Sequence, residues 1–157
     1  MATNRNKRAM RLGKIKEKVS HLPSLLKNRD IAKVALAMLY WCEGAKTRYG
    51  SLALGNSDPA LISTFLLLLR HCYAVNEKKL RATVLCRADQ DADVLEKFWA
   101  KVTGLPHDQF YASRVDARTI GNPTMKEDYK GVCRVDYFSA DVYNELKIIY
   151  QLVGEGL

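Results

Sequence analysis

The sequence predicts an α+β domain, and three observations predict it. Segments with apolar residues at spacings of three and four alternate with short segments of period two, and the breaks between them carry Asn, Asp, Gly and Pro. At 157 residues, 48% hydrophobic and 27% charged, the chain suits one core rather than two. No internal repeat interrupts the pattern.

Leu12, Ile15, Val19 and Leu22 fall on one stripe of a helix whose other faces carry Arg8, Arg11, Lys14, Lys16 and Lys18, and Pro23 ends it. Residues 1–28 therefore read as a basic helical arm and 29–157 as the single domain. A second helix spans Asp30 to Glu43, with Asn28 or Asp30 as N-cap and Gly44 as its stop. It lacks a polar face after Lys33, so it belongs at the centre of the fold or of an interface. Arg48 to Leu54 reads as a strand, and Asn56 to Pro59 opens a helix that runs to about Tyr73, with Asp58 as cap. In Leu80 to Arg87, the residues Leu80, Ala82, Val84 and Cys86 share one side; Arg81, Thr83, Leu85 and Arg87 share the other. Asp89, Asp91 and Asp93 do not form a calcium loop, because Val94 and Ala100 stand where Gly and Glu are required. They favour the start of a helix from Ala92 to Val102 that closes at Gly104. Gln109 to Val115 and Lys130 to Phe138 are the remaining strands, and Ala140 to Val153 is the last helix.

Charge is concentrated at one end. Residues 1–30 hold nine Lys or Arg against Glu17 and Asp30, which places +7 of the net +8 there. Such asymmetry points to a polyanionic partner, since cations on a phosphate backbone release condensed counterions. The longest apolar run, Val34 to Cys42, is nine residues, against the roughly 20 that a membrane helix needs. With no apolar segment ahead of residue 31, the expectation is a cytoplasmic protein without a membrane partner. Cys42, Cys72, Cys86 and Cys133 lack the paired spacing of zinc sites and read as buried free thiols. His21, His71 and His107 are scattered, and there is no Gly-rich phosphate cradle or H-E-x-x-H helix.

The informative stretch is Leu36 to Gly44, L-A-M-L-Y-W-C-E-G, an apolar helix that closes on a carboxylate and a glycine. It resembles the LAGLIDADG motif of homing endonucleases at Leu36, Ala37, Leu39, Glu43 and Gly44. E-G-A-K after it, N-S-D-P and G-V-C-R-V-D-Y-F extend the likeness to small bacterial half-LAGLIDADG proteins, from about Asp30 onward. The chain departs from the family at Met38, where glycine is usual, at Glu43, where aspartate is usual, and at Tyr40 and Trp41. The order of its elements also departs from the family's αββαββα half.

The resemblance implies a curved antiparallel sheet packed by helices, with the motif helix at a dimer interface. It implies a homodimer, since the chain carries one motif, acting on a roughly palindromic site in double-stranded DNA. A carboxylate at the C-terminal end of an apolar helix meets a negative dipole end and calls for a cation or donors. Glu43 is accordingly the expected ligand for Mg2+, which could polarise a phosphate and generate hydroxide. Lys46 and Lys130, flanking the motif end and opening the last strand, join Glu43 as catalytic candidates through transition-state charge stabilisation. The expected DNA contacts are Arg48, Arg81, Thr83, Arg87, Arg134 and Asp136, with Lys14 from the arm. A site-specific endonuclease is the first reading and a non-cutting regulator on the same scaffold the second. RNA comes last, because the chain has few paired aromatics for stacking.

Overall fold

The computed structural model describes residues 4–126 and 128–156. Among them lie five α-helices and one four-stranded sheet, an α+β architecture. In chain order these are α1 (Asn4–Val19), α2 (Arg29–Glu43), β1 (Leu52–Asn56), α3 (Pro59–Cys72), β2 (Leu80–Arg87), α4 (Ala92–Thr103), β3 (Phe110–Asp116), β4 (Val132–Tyr137) and α5 (Ala140–Gly156).

Local chemistry accounts for the helix ends. Asn28, not Asp30, caps α2, its side chain accepting from the amides of Asp30 and Ile31. Asp58 caps α3 through the amide of Ala60, and Asp91 caps α4 through those of Asp93 and Val94. Gly104 closes α4 at φ +71°, a left-handed turn that L side chains resist. Gly44 ends α2 for a different reason: its backbone is extended, but an added Cβ would lie 2.4 Å from the Tyr40 ring. The motif glycine is thus required by close approach.

The strands assemble in the order β1-β4-β2-β3. β4 pairs antiparallel with both β1 and β2, whereas β2 and β3 are parallel, so the sheet is mixed and not antiparallel throughout. The cause is α4, which carries the chain back across the sheet between β2 and β3; a parallel pair needs such a crossover. The first strand begins at Leu52 rather than Arg48, after a turn in which Gly50 has φ +88°. Likewise β4 begins at Val132, past Gly131 at φ +67°, which leaves Lys130 in the preceding loop.

One face of the sheet holds the core. Leu52, Leu54, Leu80, Ala82, Val84, Cys86, Cys133, Val135 and Tyr137 pack beneath Leu36, Phe65, Leu69, Trp99 and Leu146 of the helices. The alternation in β2 predicts this face correctly, because period two turns every second side chain inward. No helix is long and apolar enough to cross a membrane among the described residues. α2 is less enclosed than its composition suggests. Ala32, Leu36, Ala37 and Tyr40 are buried, but Ile31, Val34 and Trp41 stay exposed on the single chain. α1 buries no residue, so the stripe Leu12, Ile15 and Val19 is bare. Cys72, Cys86 and Cys133 are buried free thiols as expected; Cys42, on the outer side of α2, is exposed.

Candidate nucleic-acid interface

The other face of the sheet mixes arginines with apolar side chains such as Leu85, Val132 and Phe138. In register, Arg134 of β4 lies between Gly55 of β1 and Thr83 of β2, and Asp136 lies between Ala53 and Arg81. The two cationic strand faces expected from sequence are therefore one surface. It forms a groove of about 380 Å³ lined by Arg48, Gly55, Thr83, Tyr111, Arg114 and Arg134, among others.

Of the expected DNA contacts, the structure brings Arg48, Thr83 and Arg134 together in this groove. Asp136 lies there too, but it is 3% exposed and enclosed by guanidinium groups, so it does not present itself to a base. Its Oδ1 accepts from Arg134 Nη2 at 2.5 Å and from Arg48 Nη1 at 3.4 Å. Arg81 and Arg87 lie outside the groove lining and are engaged within the fold. Arg81 Nη1 donates to the carbonyls of Lys78 and Leu80 at 2.9 and 2.7 Å. Arg87 Nη2 donates to the carbonyls of Asn122 and Pro123, and its Nε lies 3.8 Å from Asp89. Each of these guanidiniums anchors a neighbouring loop, which strand alternation cannot reveal. Asp89 completes the second anchor by accepting from the Thr124 amide at 2.5 Å and from Thr124 Oγ1 at 2.8 Å, and these two bonds hold its carboxyl below the ordinary aspartate range.

Tyr111, Arg114 and Phe138 join the groove without any signal in the sequence to place them there. Tyr111 and Arg114 are three residues apart, which in a regular strand sets them on opposite faces. The β2–β3 register shifts between Thr83 and Leu85, and that irregularity aligns Tyr111 with Thr83 and Arg114 with Leu85, both on the outer face. Sequence periodicity does not encode such a shift.

Glu43 is the last residue of α2 and is exposed. Its Oε2 accepts from Asn56 Nδ2 at 3.0 Å, and Asn56 Oδ1 accepts in turn from the amide of Asp58 at 2.8 Å. The end of the motif helix is thereby tied to the start of α3. Among the described residues Glu43 forms no ion pair, so Lys46 and Lys130 are not bound to it. Lys46 is exposed, and its carbonyl accepts from Tyr143 Oη at 3.4 Å. Lys130 is half-buried, its carbonyl held by Trp99 Nε1 at 2.7 Å, and it borders a separate cavity with Asp58, Lys126 and Asp128. Gln109 spends its amide on the carbonyls of Glu77 and Leu80, a structural role. Lys14 is exposed on α1.

Comparison with protein-family models, with curated proteins and with solved structures finds no match to this chain.

Proposed function

We propose that the chain is a duplex-DNA-binding protein that works as a homodimer, and that Glu43 makes the pair a magnesium-dependent endonuclease of the LAGLIDADG type. The observation that carries the DNA reading is the outer sheet face, where Arg48, Arg114 and Arg134 border one groove with Thr83 and Tyr111. Guanidiniums there gain affinity from phosphates by counterion release and gain selectivity from guanine edges. The basic arm adds to the first effect.

The homodimer is supported by the bare apolar stripe of α2, Ile31, Val34 and Trp41, and Ile148 and Leu152 are likewise exposed on α5. Trp41 stacks on Tyr150 at 5.3 Å, joining the two helices into one surface. Pairing this surface with a second copy removes apolar area from water and brings two Glu43 side chains toward one axis.

Glu43 suits a hard cation only in part. Its Oε1 makes no hydrogen bond to the described residues, and an exposed carboxylate oxygen is the donor type magnesium prefers. Among the described residues no cluster of three metal-ligating side chains exists, so water, substrate phosphate and the second copy would supply the other ligands. A magnesium ion bound there would polarise the scissile phosphate and lower the pKa of an attacking water. The same single carboxylate, half engaged by Asn56, favours a second reading, a regulator that binds without cutting.

Incubation with a randomised plasmid library and magnesium, read by sequencing of cut ends, separates these readings. The expected result is defined cut sites, lost in Glu43→Gln while binding persists. Cutting retained by purified Glu43→Gln rejects the catalytic assignment. Selective binding without nicking by the unaltered protein selects the regulator, and absence of duplex affinity rejects both.

A further inference from the structure

We infer that Asp136 is a positioning residue that holds Arg134 as a guanine-reading fork in the sheet groove, an assignment that rests on the DNA reading above. Asp136 stands on the outer face of β4, yet its side chain is 4% exposed. A carboxylate so enclosed is costly without cationic partners, and it has two on one oxygen, Arg134 and Arg48. The carboxylate therefore acts through the guanidiniums rather than on a ligand.

A guanidinium offers five donors in one rigid plane. Arg134 uses Nη2 on Asp136, and its Nε is buried without a hydrogen-bond partner, so the end of the guanidinium that can face the groove is Nη1, which has no partner among the described residues, with the second N–H of Nη2. Its side chain is 35% exposed and lines the groove. The neighbour in register on one side is Gly55, which leaves the space beside the guanidinium open. An added Cβ at Gly55 would meet the Cβ of Arg134 at 3.6 Å, ordinary contact, so the fold does not require glycine there. The absence of a side chain widens the groove instead. That Nη1/Nη2 end, tethered by one N–H of Nη2 to Asp136, matches end-on the O6 and N7 acceptors of guanine in the major groove. Fixing it beforehand also reduces the entropy lost on binding. The contrast lies on the same face: Arg81 and Arg87 have nitrogens committed to backbone carbonyls. Arg48, at 3.4 Å from the shared oxygen and half exposed, is held more loosely at the rim.

The test uses the full chain, Arg134→Lys and Asp136→Asn. Each is selected against a randomised duplex pool, and the preferred duplex is then resynthesised with 7-deazaguanine at each guanine in turn. Removing N7 at one guanine per half-site should weaken the unaltered protein about tenfold or more. Arg134→Lys should lose a similar factor on the normal duplex and nothing further on the deaza duplex. Asp136→Asn should lose the same preference while its affinity for a random duplex holds or rises, because a negative charge has left the face. Arg134→Lys keeps charge and stem and tests the reading side chain; if Asp136→Asn does not fold, Asp136→Glu, which keeps the charge but shifts it by one methylene, takes its place and should lose the same preference. An unselective wild type, or a guanine preference unchanged in both variants, overturns the assignment and leaves DNA binding standing. No duplex affinity at all overturns both.

Discussion

Replacing Tyr40 by phenylalanine removes one oxygen from the middle of the motif helix and leaves the ring in place. Tyr40 is 1% exposed, and its ring lies against Phe65 at 6.5 Å and Tyr143 at 6.3 Å, contacts that phenylalanine keeps. The hydroxyl donates to the carbonyl of Ala45 at 2.8 Å and accepts, weakly, from the amide of Ala53 at 3.4 Å. It therefore clamps the chain leaving the motif onto β1, ahead of Lys46 and Arg48. Burial raises the phenol's pKa above its usual value, so the donor keeps its proton throughout the neutral range. Losing one good hydrogen bond and leaving a half-buried carbonyl short of its donor costs about 1–2 kcal/mol. For a domain of this size each kcal/mol lowers Tm by about 2–4 °C, so the expected fall is about 2–8 °C. Urea titration should show a lower midpoint at unchanged slope, since the buried area is the same. A Tm and midpoint equal to those of the unaltered protein would show that the phenol anchors nothing.

Two further outcomes follow from charge and burial. Deleting residues 1–28 removes Lys14 and most of the excess positive charge. The slope of log affinity against log salt should become shallower by about 0.9 for each phosphate that the arm neutralises, and an unchanged slope would exclude the arm from DNA binding. In the native protein, thiol titration should detect Cys42 readily and Cys72, Cys86 and Cys133 only after unfolding. Burial pushes the Cys133 thiol up to about 12, whereas the unfolded chain releases that proton near 8.5. The fold then binds a proton that the unfolded state does not, so this contribution to stability is complete below about 8.5 and declines as pH rises toward 12. Urea midpoints measured from pH 7 to 11 should fall on the alkaline side; a flat profile would contradict the burial of Cys133.

The cap at Asp58, the helix starts near Asn28 or Asp30 and after Asp91, and the two faces of β2 were legible in the sequence because each is set within a few residues, whereas the structure chose Asn28 and Asp91 as the caps. A cap needs a side-chain oxygen beside free amides, and strand faces need only alternation. The groove was legible in part for the same reason. Alternation assigns Thr83 and Arg134 each to a face, but that those faces coincide depends on β2 pairing with β4, a contact between distant segments. Arg87 illustrates the limit: its side chain is correctly placed on the outer face and is nevertheless taken by carbonyls 35 and 36 residues away.

By itself, then, the sequence determined the α+β class, the end of the motif helix at Glu43 and Gly44, and the clustering of charge in the arm. The tertiary structure alone decided that the sheet is mixed, that Asp136 is enclosed by two arginines, and that a register shift brings Tyr111 and Arg114 onto one face. The physical reason is that caps and periodicity act over one turn or one pleat. Which guanidinium stays free, by contrast, depends on whichever carboxylates and carbonyls folding carries within about 3 Å of it.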